Sequence, residues 1–336
     1  MNKTLIALLL LAFVACKKHL SEEELSFKKF QKFINKYHKK YSSIEEYLAR
    51  YQVFKTNMQV AYENEENGAE FGITKFSDLT EQEFRKTYLN LNFGAHAFYP
   101  LKRVSVVPSN DAPESYDWRD VESYVTAVKD QGSCGSCWAF STTANLEGLY
   151  WKGHKKSVTF SEQMLVDCDT NDSGCNGGLM DLAFDWIKDN GGLESDTDYP
   201  YKGRKQTCAQ DTSKLVPNFK VTGYEILGEA SGDWFPCEES DMVEFLYKTG
   251  PLSVALNATP VQFYSKGILD PSSCSASGIN HGVTLVGYGT ESGKDYWILK
   301  NSWGKSWGES GYFRLVRGKQ ACGINYYVIT ATVDYS

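Results

Sequence analysis

The sequence predicts an α+β protein: a helical half and a strand half with a cleft between them, preceded by a separate helical segment. Three observations carry that prediction. Residues 17–111 have helical apolar spacing, many Lys and Glu, and no cysteine after Cys16. The following stretch mixes helical spacing with glycine turns and cysteines. From Leu252 onward apolar residues alternate between glycines and turn residues, the pattern of antiparallel strands sufficient for a barrel or sandwich. Helices in one run and strands in the next segregate into packed layers, and ligands favour the cleft between such halves.

Length and charge bound the function. A chain of 336 residues has material for one large domain or two. A net charge of −7 with no basic patch argues against nucleic acid as a partner. Lys3 followed by the apolar run Leu5 to Val14 reads as a secretory signal cut near Ala15 or Cys16. That run is too short to span a bilayer comfortably, and Phe13-Val14-Ala15-Cys16 also fits a bacterial lipoprotein box. The expected organisation is a signal over 1–16, a pro-segment over 17–111 and a mature domain over 112–336. Secretion permits disulfides. Of nine cysteines, Cys16 belongs to the signal, so a catalytic thiol would leave seven, enough for three bridges and one spare.

In the pro-segment Phe27, Phe30, Phe33, Ile34, Tyr37 and Tyr41 form one apolar stripe. Tyr47, Tyr51, Phe54, Met58 and Ala61 form a second, with Glu46 and Arg50 at ion-pair spacing. Residues 71–80 read as a short strand ending in a helix start, where Thr80 and Glu83 make a capping box. Residues 92–111 lack a period and carry Pro100 and Pro108, as an accessible, cleavable linker would. Further on, a helix runs from Cys137 to about Lys152, where Gly153 stops it. A short capped helix lies within Phe160–Cys168, a glycine turn at Cys175–Gly178, and a helix over Leu179–Lys188. An irregular stretch begins at Asp198. The strands are expected near 252–256, 282–288, 296–300, 312–316 and 327–330.

The chemistry concentrates at Gln131-Gly132-Ser133-Cys134-Gly135-Ser136-Cys137. Cys137 stands where a glycine-rich loop becomes a helix. Free N–H groups and the helix dipole there favour a thiolate and lower the cysteine pKa. Cys134 and Cys137 are also spaced as half a zinc site, as a redox pair, or with one of them in a structural disulfide. No partner pair follows at zinc spacing, and no βαβ pattern surrounds them. Beyond the linker the histidines are His154 and His281. His154 ends the helix that Cys137 starts, on the order of 25 Å away, so it cannot reach the sulfur. His281 precedes a strand and Asn301 follows the next one, equidistant from a turn centred near Glu291. Antiparallel pairing would set the amide against the imidazole.

These motifs resemble the papain-like cysteine proteases in preproenzyme form, specifically the cathepsin L and cathepsin F group. The resemblance covers nearly the whole chain. Gln131–Ser141 matches the nucleophile signature, and Asn280-His281-Gly282 and Lys300-Asn301-Ser302-Trp303-Gly304 match the histidine and asparagine boxes. Cys175-Asn176-Gly177-Gly178 matches the substrate-strand loop. Glu46, Arg50, Phe54, Asn57 and Ala61 fall on the helical motif of the family's inhibitory propeptides, whose last position is Glu65 here. Gly72, Thr74, Phe76 and Asp78 match a second propeptide motif.

The resemblance implies a helical domain and an antiparallel β-barrel domain around the active-site cleft. It implies Cys137 as nucleophile and His281 as base in an ion pair, with Asn301 orienting the ring and Trp303 covering it. Gln131 and the Cys137 N–H would form the oxyanion hole. Gly135, Gly177 and Gly178 would line the substrate strand. Leu179, Met180, Ala255 and Ile279, closed by Tyr327, would form an apolar pocket for the side chain two residues before the cut, the P2 residue. Leu or Val is then expected there over Phe, with Arg poor.

The implied bridges are Cys134–Cys175, Cys168–Cys208 and Cys274–Cys322, leaving Cys237 spare. No cofactor or metal is implied. The implied partners are protein and peptide substrates, the chain's own propeptide and cystatin-type inhibitors, with a monomer in the secretory pathway, an acidic vacuole such as the lysosome, or outside the cell. The carboxylates of the pro-segment suggest release in acid, and Asn171 and Asn257 are glycosylation sequons. Other readings are a non-catalytic protein on the same fold, a propeptide-type inhibitor, and a Cys–His acyltransferase. The first would show a replaced Cys, His or Gln, and the second lacks a peptidase half.

Overall fold

The computed structural model describes residues 21–63, 68–91, 93, 103–105, 111–228, 236–272 and 274–336. The expected signal, Glu65, most of the linker with Pro100 and Pro108, and the span 106–110 lie outside them.

Two helices open the described chain, α1 (Glu22–Tyr37) and α2 (Ile44–Glu63), and cross through their aromatic stripes. Phe30 contacts the rings of Phe33, Tyr41, Tyr47, Tyr51 and Phe54 at centroid separations of 5.2–6.1 Å. Offset and edge contacts of this kind add to area burial. A strand, β1 (Ala69–Phe71), leads to α3 (Glu81–Tyr88), whose Thr80–Glu83 capping box forms as expected. Glu46 and Arg50 do not pair directly as their spacing suggested. Glu46 accepts from the N–H and hydroxyl of Ser42, whereas Arg50 crosses to Glu83 at 2.7 Å and to the Asp78 carbonyl. The tertiary partner, already fixed by its cap, outcompetes the local one.

The rest of the chain contributes β2 (Arg103–Val104), β3 (Tyr116–Asp117), α4 (Cys137–His154), α5 (Glu162–Cys168), α6 (Met180–Asn190), β4 (Lys220–Leu227), α7 (Glu239–Thr249), β5 (Leu252–Leu256), β6 (Tyr264–Leu269), β7 (His281–Glu291), β8 (Lys294–Lys300), β9 (Tyr312–Val316) and β10 (Val328–Asp334). Helix α4 runs past Gly153 and ends at Lys155, which takes the left-handed conformation (φ 54°). Gly153 serves close approach instead, because a Cβ there would stand 2.1 Å from the Tyr335 ring. The stretch expected to be irregular after Asp198 contains β4 and α7. Glycines and charges interrupt their periodicity, and tertiary partners supply what local pattern lacks.

The strands do not close the antiparallel barrel that the family resemblance implied. Among the described residues they form one ten-stranded open sheet in the order β1-β6-β9-β8-β7-β5-β10-β4-β2, with β3 on β7. It is mixed, since β6–β9 and β2–β4 are parallel. The pro-segment strand β1 extends the edge at β6. One apolar core joins the aromatics of α1–α3 to the strands around Trp297, Trp303 and Phe313. A second packs α4, α5 and α6 against β10 and includes Cys137, Leu179, Met180, Ala255 and Tyr327. The cleft runs between these cores. Among the described residues no helix is long and apolar enough to cross a membrane.

Candidate active site

Cys137 begins α4 behind Ser136, whose side chain makes no capping bond, so the first N–H groups stay free. The N–H groups of Cys137, Trp138, Gly282 and Asn90 face its sulfur. They favour a thiolate, but the sulfur is fully buried, and burial pushes the thiol up to about 11. The sequence expectation of a lowered pKa fails in this closed form because desolvation exceeds the helix terminus.

His281 opens β7 opposite Leu256 of β5, and Gly282 brings that strand onto Cys137. Its Nε2 lies 2.9 Å from Asn301 Oδ1. That atom is oxygen, because the Ser302 N–H also donates to it at 2.8 Å. Neutral His281 therefore carries its proton on Nε2 and its lone pair on Nδ1. The Tyr88 carbonyl lies near the ring and favours protonation, yet Nδ1 has no well-formed hydrogen bond, as two acceptors require. Burial holds the imidazole down to about 4. Trp303 is buried against it, with ring centroids 4.8 Å apart.

The pairing of His281 with Asn301 does not arise from the equidistance expected. The turn lies at Ser292–Gly293, both with positive φ, and β7 bulges between Leu285 and Gly287. Thr284, not an earlier residue, opposes Lys300. Asn301 reaches back to His281 from beyond the strand end. Lys300 anchors that end from inside, donating to Thr126 at 2.9 Å. Thr126 in turn bonds Glu147, and Lys129 bridges Glu147 and Glu162 at 2.7 and 2.5 Å.

Gln131 is held by the Ser302 hydroxyl on Oε1 (2.7 Å) and by its own Nε2 on the Cys134 carbonyl (3.0 Å). Nε2 also points to the Tyr88 carbonyl at 3.4 Å. The pro-segment thus puts a carbonyl against the Gln131 amide. It continues through the cleft: the Leu91 N–H donates to Asn280 at 3.0 Å, and Leu91 bridges Gly178 in parallel. Gly135 and Gly177 line this path, since a Cβ on either would stand 2.2 or 2.1 Å from Asn90. Sequence reasoning placed the pro-segment's helices but missed that Tyr88, Asn90 and Leu91 fill the cleft. It also missed Ser302 and Tyr201, whose hydroxyl joins Ser136 to the Gln131 carbonyl at 2.7 and 2.8 Å.

Leu91 joins Leu179, Met180, Ala255 and Tyr327 in one apolar cluster, with Ile279 and Phe93 packed against it. Tyr327 is buried in that cluster. Its hydroxyl donates to Asp181 Oδ1 at 2.6 Å and accepts from the Asp181 N–H at 3.0 Å. The three disulfides are Cys134–Cys175, Cys168–Cys208 and Cys274–Cys322, and Cys137 and Cys237 are the free thiols among the described residues. No group of three or more possible metal ligands occurs among the described residues.

Residues 112–332 match the papain family cysteine protease, and residues 30–84 match the cathepsin propeptide inhibitor domain. The chain belongs to the papain family of cysteine proteases. It is 42% identical over 325 residues to cysteine proteinase 15A of Pisum sativum, covering 91% of this chain and 86% of that protein. It is 40% identical to cathepsin F of Drosophila melanogaster over 94% of this chain and 52% of that one. Among solved structures it resembles digestive procathepsin L 3 from the larval midgut of Tenebrio molitor, at TM-score 0.79 and 35% identity, covering 92% of this chain and 99% of that chain. It also resembles the recombinant stem bromelain precursor, at TM-score 0.80 and 34% identity, covering 91% and 98%. The protease is a zymogen: it carries the propeptide domain over residues 30–84, and Tyr88, Asn90 and Leu91 just beyond it fill the cleft.

Proposed function

We propose that this zymogen matures to an endopeptidase in which Cys137 attacks the peptide carbonyl and His281 is the base. Asn301 orients the ring, and Gln131 with the Cys137 N–H stabilises the oxyanion. The observation that carries the reading is the His281–Asn301 bond of 2.9 Å under Trp303, on the strand whose Gly282 N–H faces the Cys137 sulfur. With Nε2 committed to Asn301, Nδ1 is free to take the thiol proton. In the closed form both groups are neutral because both are dry. Removal of Tyr88–Leu91 admits water, and the proton passes from Sγ to Nδ1, giving the thiolate–imidazolium pair. Attack forms a thioester and releases the amine, protonated by His281. Water then hydrolyses the thioester.

The domain boundary near residue 111 becomes the maturation region, and the pocket of Leu179, Met180, Ala255, Ile279 and Tyr327 prefers an apolar P2 side chain. The signal-like residues 1–16 direct the chain to the secretory pathway, for an acidic vacuole or the exterior. Protein and peptide substrates, and cystatin-type inhibitors, are its partners as a monomer. The test is hydrolysis of a dipeptidyl fluorogenic substrate after acid maturation. Thiol-alkylator-sensitive turnover, lost in Cys137→Ala matured in trans, is expected; turnover by that variant contradicts the reading.

A further inference from the structure

The loop between Cys168 and Cys175 holds two carboxyl groups that the reaction does not use. Asp169 and Asp172 are 1% and 9% exposed. One oxygen of each is tied to main chain: Asp169 Oδ1 accepts from the Asn171 N–H at 2.8 Å, and Asp172 Oδ1 from the Leu179 N–H at 2.9 Å. The other oxygen of each, Oδ2, is buried and lacks a well-formed partner. The two side chains face one another within reach of a carboxyl–carboxylate contact. Two bare carboxylates so placed would repel one another without water to screen them, whereas one proton between them serves both.

The pair bears directly on the substrate strand. Asp172 Oδ1 lies so close to Gly178 that a Cβ there would stand 2.5 Å from it. The Trp138 indole, next to the nucleophile, donates to the Gly174 carbonyl at 3.1 Å and flanks the same glycine. The disulfides at Cys168 and Cys175 fix the loop ends, so a shift of Asp172 is passed to Gly177–Leu179.

We propose that Asp169 and Asp172 share one proton and together position the substrate-binding segment Gly177–Leu179, holding it while the proton is present and loosening it when the proton is lost. The inference rests on reading this cleft as a peptidase active site. Other charges facing the pair are Asp181 of α6, which repels Asp172, and Lys205, which attracts Asp169. Burial pushes Asp169 up to about 6; burial and the Asp169 charge push Asp172 up to about 9. A carboxyl raised in the folded state binds a proton that the unfolded chain has released. The pair loses its protons in two steps: the first leaves near about 6, and the shared proton, with the contribution it makes, is lost as pH rises through the upper value, about 9.

The experiment measures KM and kcat of the matured enzyme from about pH 6 to 10, a range that spans the upper step of the pair, for wild type and Asp172→Asn. The asparagine still accepts from Leu179 and donates to Asp169, but does not titrate. The wild-type KM is expected to stay level from about pH 6 to 8 and to rise by a factor of about 5 or more as pH passes through about 9, a usual size for coupling between sites. The Asp172→Asn KM should stay level, with kcat changed less than KM. The infrared spectrum of the zymogen at neutral pH should contain a protonated-carboxyl stretch that Asp172→Asn removes. A wild-type KM independent of pH, a variant that follows the wild-type curve, or absence of that stretch overturns the inference while the peptidase reading stands. Absence of peptide hydrolysis by wild type at every pH overturns both.

Discussion

The ring of Phe76, in the pro-segment, stands edge-on to the indole of Trp303, with centroids 5.0 Å apart and planes at 82°. Phe84 does the same at 5.3 Å and 72°. The indole that covers His281 is therefore also the anchor of the inhibitor. Removing a buried aromatic ring costs about 3–5 kcal/mol. Phe76→Ala should weaken inhibition in cis and give the unprocessed zymogen measurable activity at neutral pH, read with the fluorogenic substrate. A variant as silent as wild type would show that Trp303 contributes little to propeptide binding.

The two cysteines of the nucleophile loop should respond oppositely. Cys137→Ser leaves a folded, inactive zymogen. Cys134→Ser strands Cys175 and should lower stability by about 2–5 kcal/mol in denaturant unfolding. Equal stability of the Cys134 variant and wild type would mean that the bridge is not formed in solution.

Acid should mature the zymogen faster around pH 4–5 than at 7, but not through every carboxylate of the pro-segment. Arg50 beside Glu83 holds that carboxyl down to about 2. A lowered carboxyl contributes stability above its ordinary value and loses it only as pH falls through the lowered one. The Arg50–Glu83 pair thus survives at pH 4–5. Glu83→Gln should raise the maturation rate at both pH values and leave their ratio unchanged, as followed by gel. A collapsed ratio would make Glu83 the acid trigger.

Tyr327 is buried beside Leu179, Met180 and Ala255, with its hydroxyl committed to Asp181. As the closed end of the pocket proposed for P2, it would offer no carboxylate of its own to a basic side chain, and its ring would limit depth. A P2 library should rank Leu and Val above Phe and place Arg last, each buried methylene adding up to about 0.8 kcal/mol. Tyr327→Ala should move the preference toward Phe. Arg equal to Leu in wild type would contradict the charge argument.

The candidate site was legible in sequence where chemistry is local. A glycine loop meeting a helix located Cys137, and elimination of His154 by distance left His281. The helices of the pro-segment followed from aromatic stripes, and Thr80 and Glu83 gave the third. What escaped depends on tertiary contact. Ser292 and Gly293 reset the hairpin, and the bulge after Leu285 shifted its register, so Asn301 meets His281 by a route that spacing did not describe. The sheet is open, with β1 of the pro-segment on its edge at β6 and β2 on its edge at β4. The thiol pKa rises because the Cys137 sulfur is fully buried in a cleft that Asn90 and Leu91 fill, and no pattern within Gln131–Ser141 encodes their arrival.

In the mechanism proposed above, the pro-segment keeps Cys137 and His281 a neutral pair that ionises on its removal. The most direct measurement is the rate of Cys137 alkylation by iodoacetamide between about pH 5 and 9, in zymogen and matured enzyme, with the modified peptide identified by mass spectrometry. A slow zymogen reaction is expected throughout this range, in keeping with a thiol pushed up to about 11. After maturation the reaction should be fast and acid-tolerant, and His281→Ala matured in trans should abolish it. Equal rates before and after maturation, or a fast reaction without His281, would contradict that mechanism.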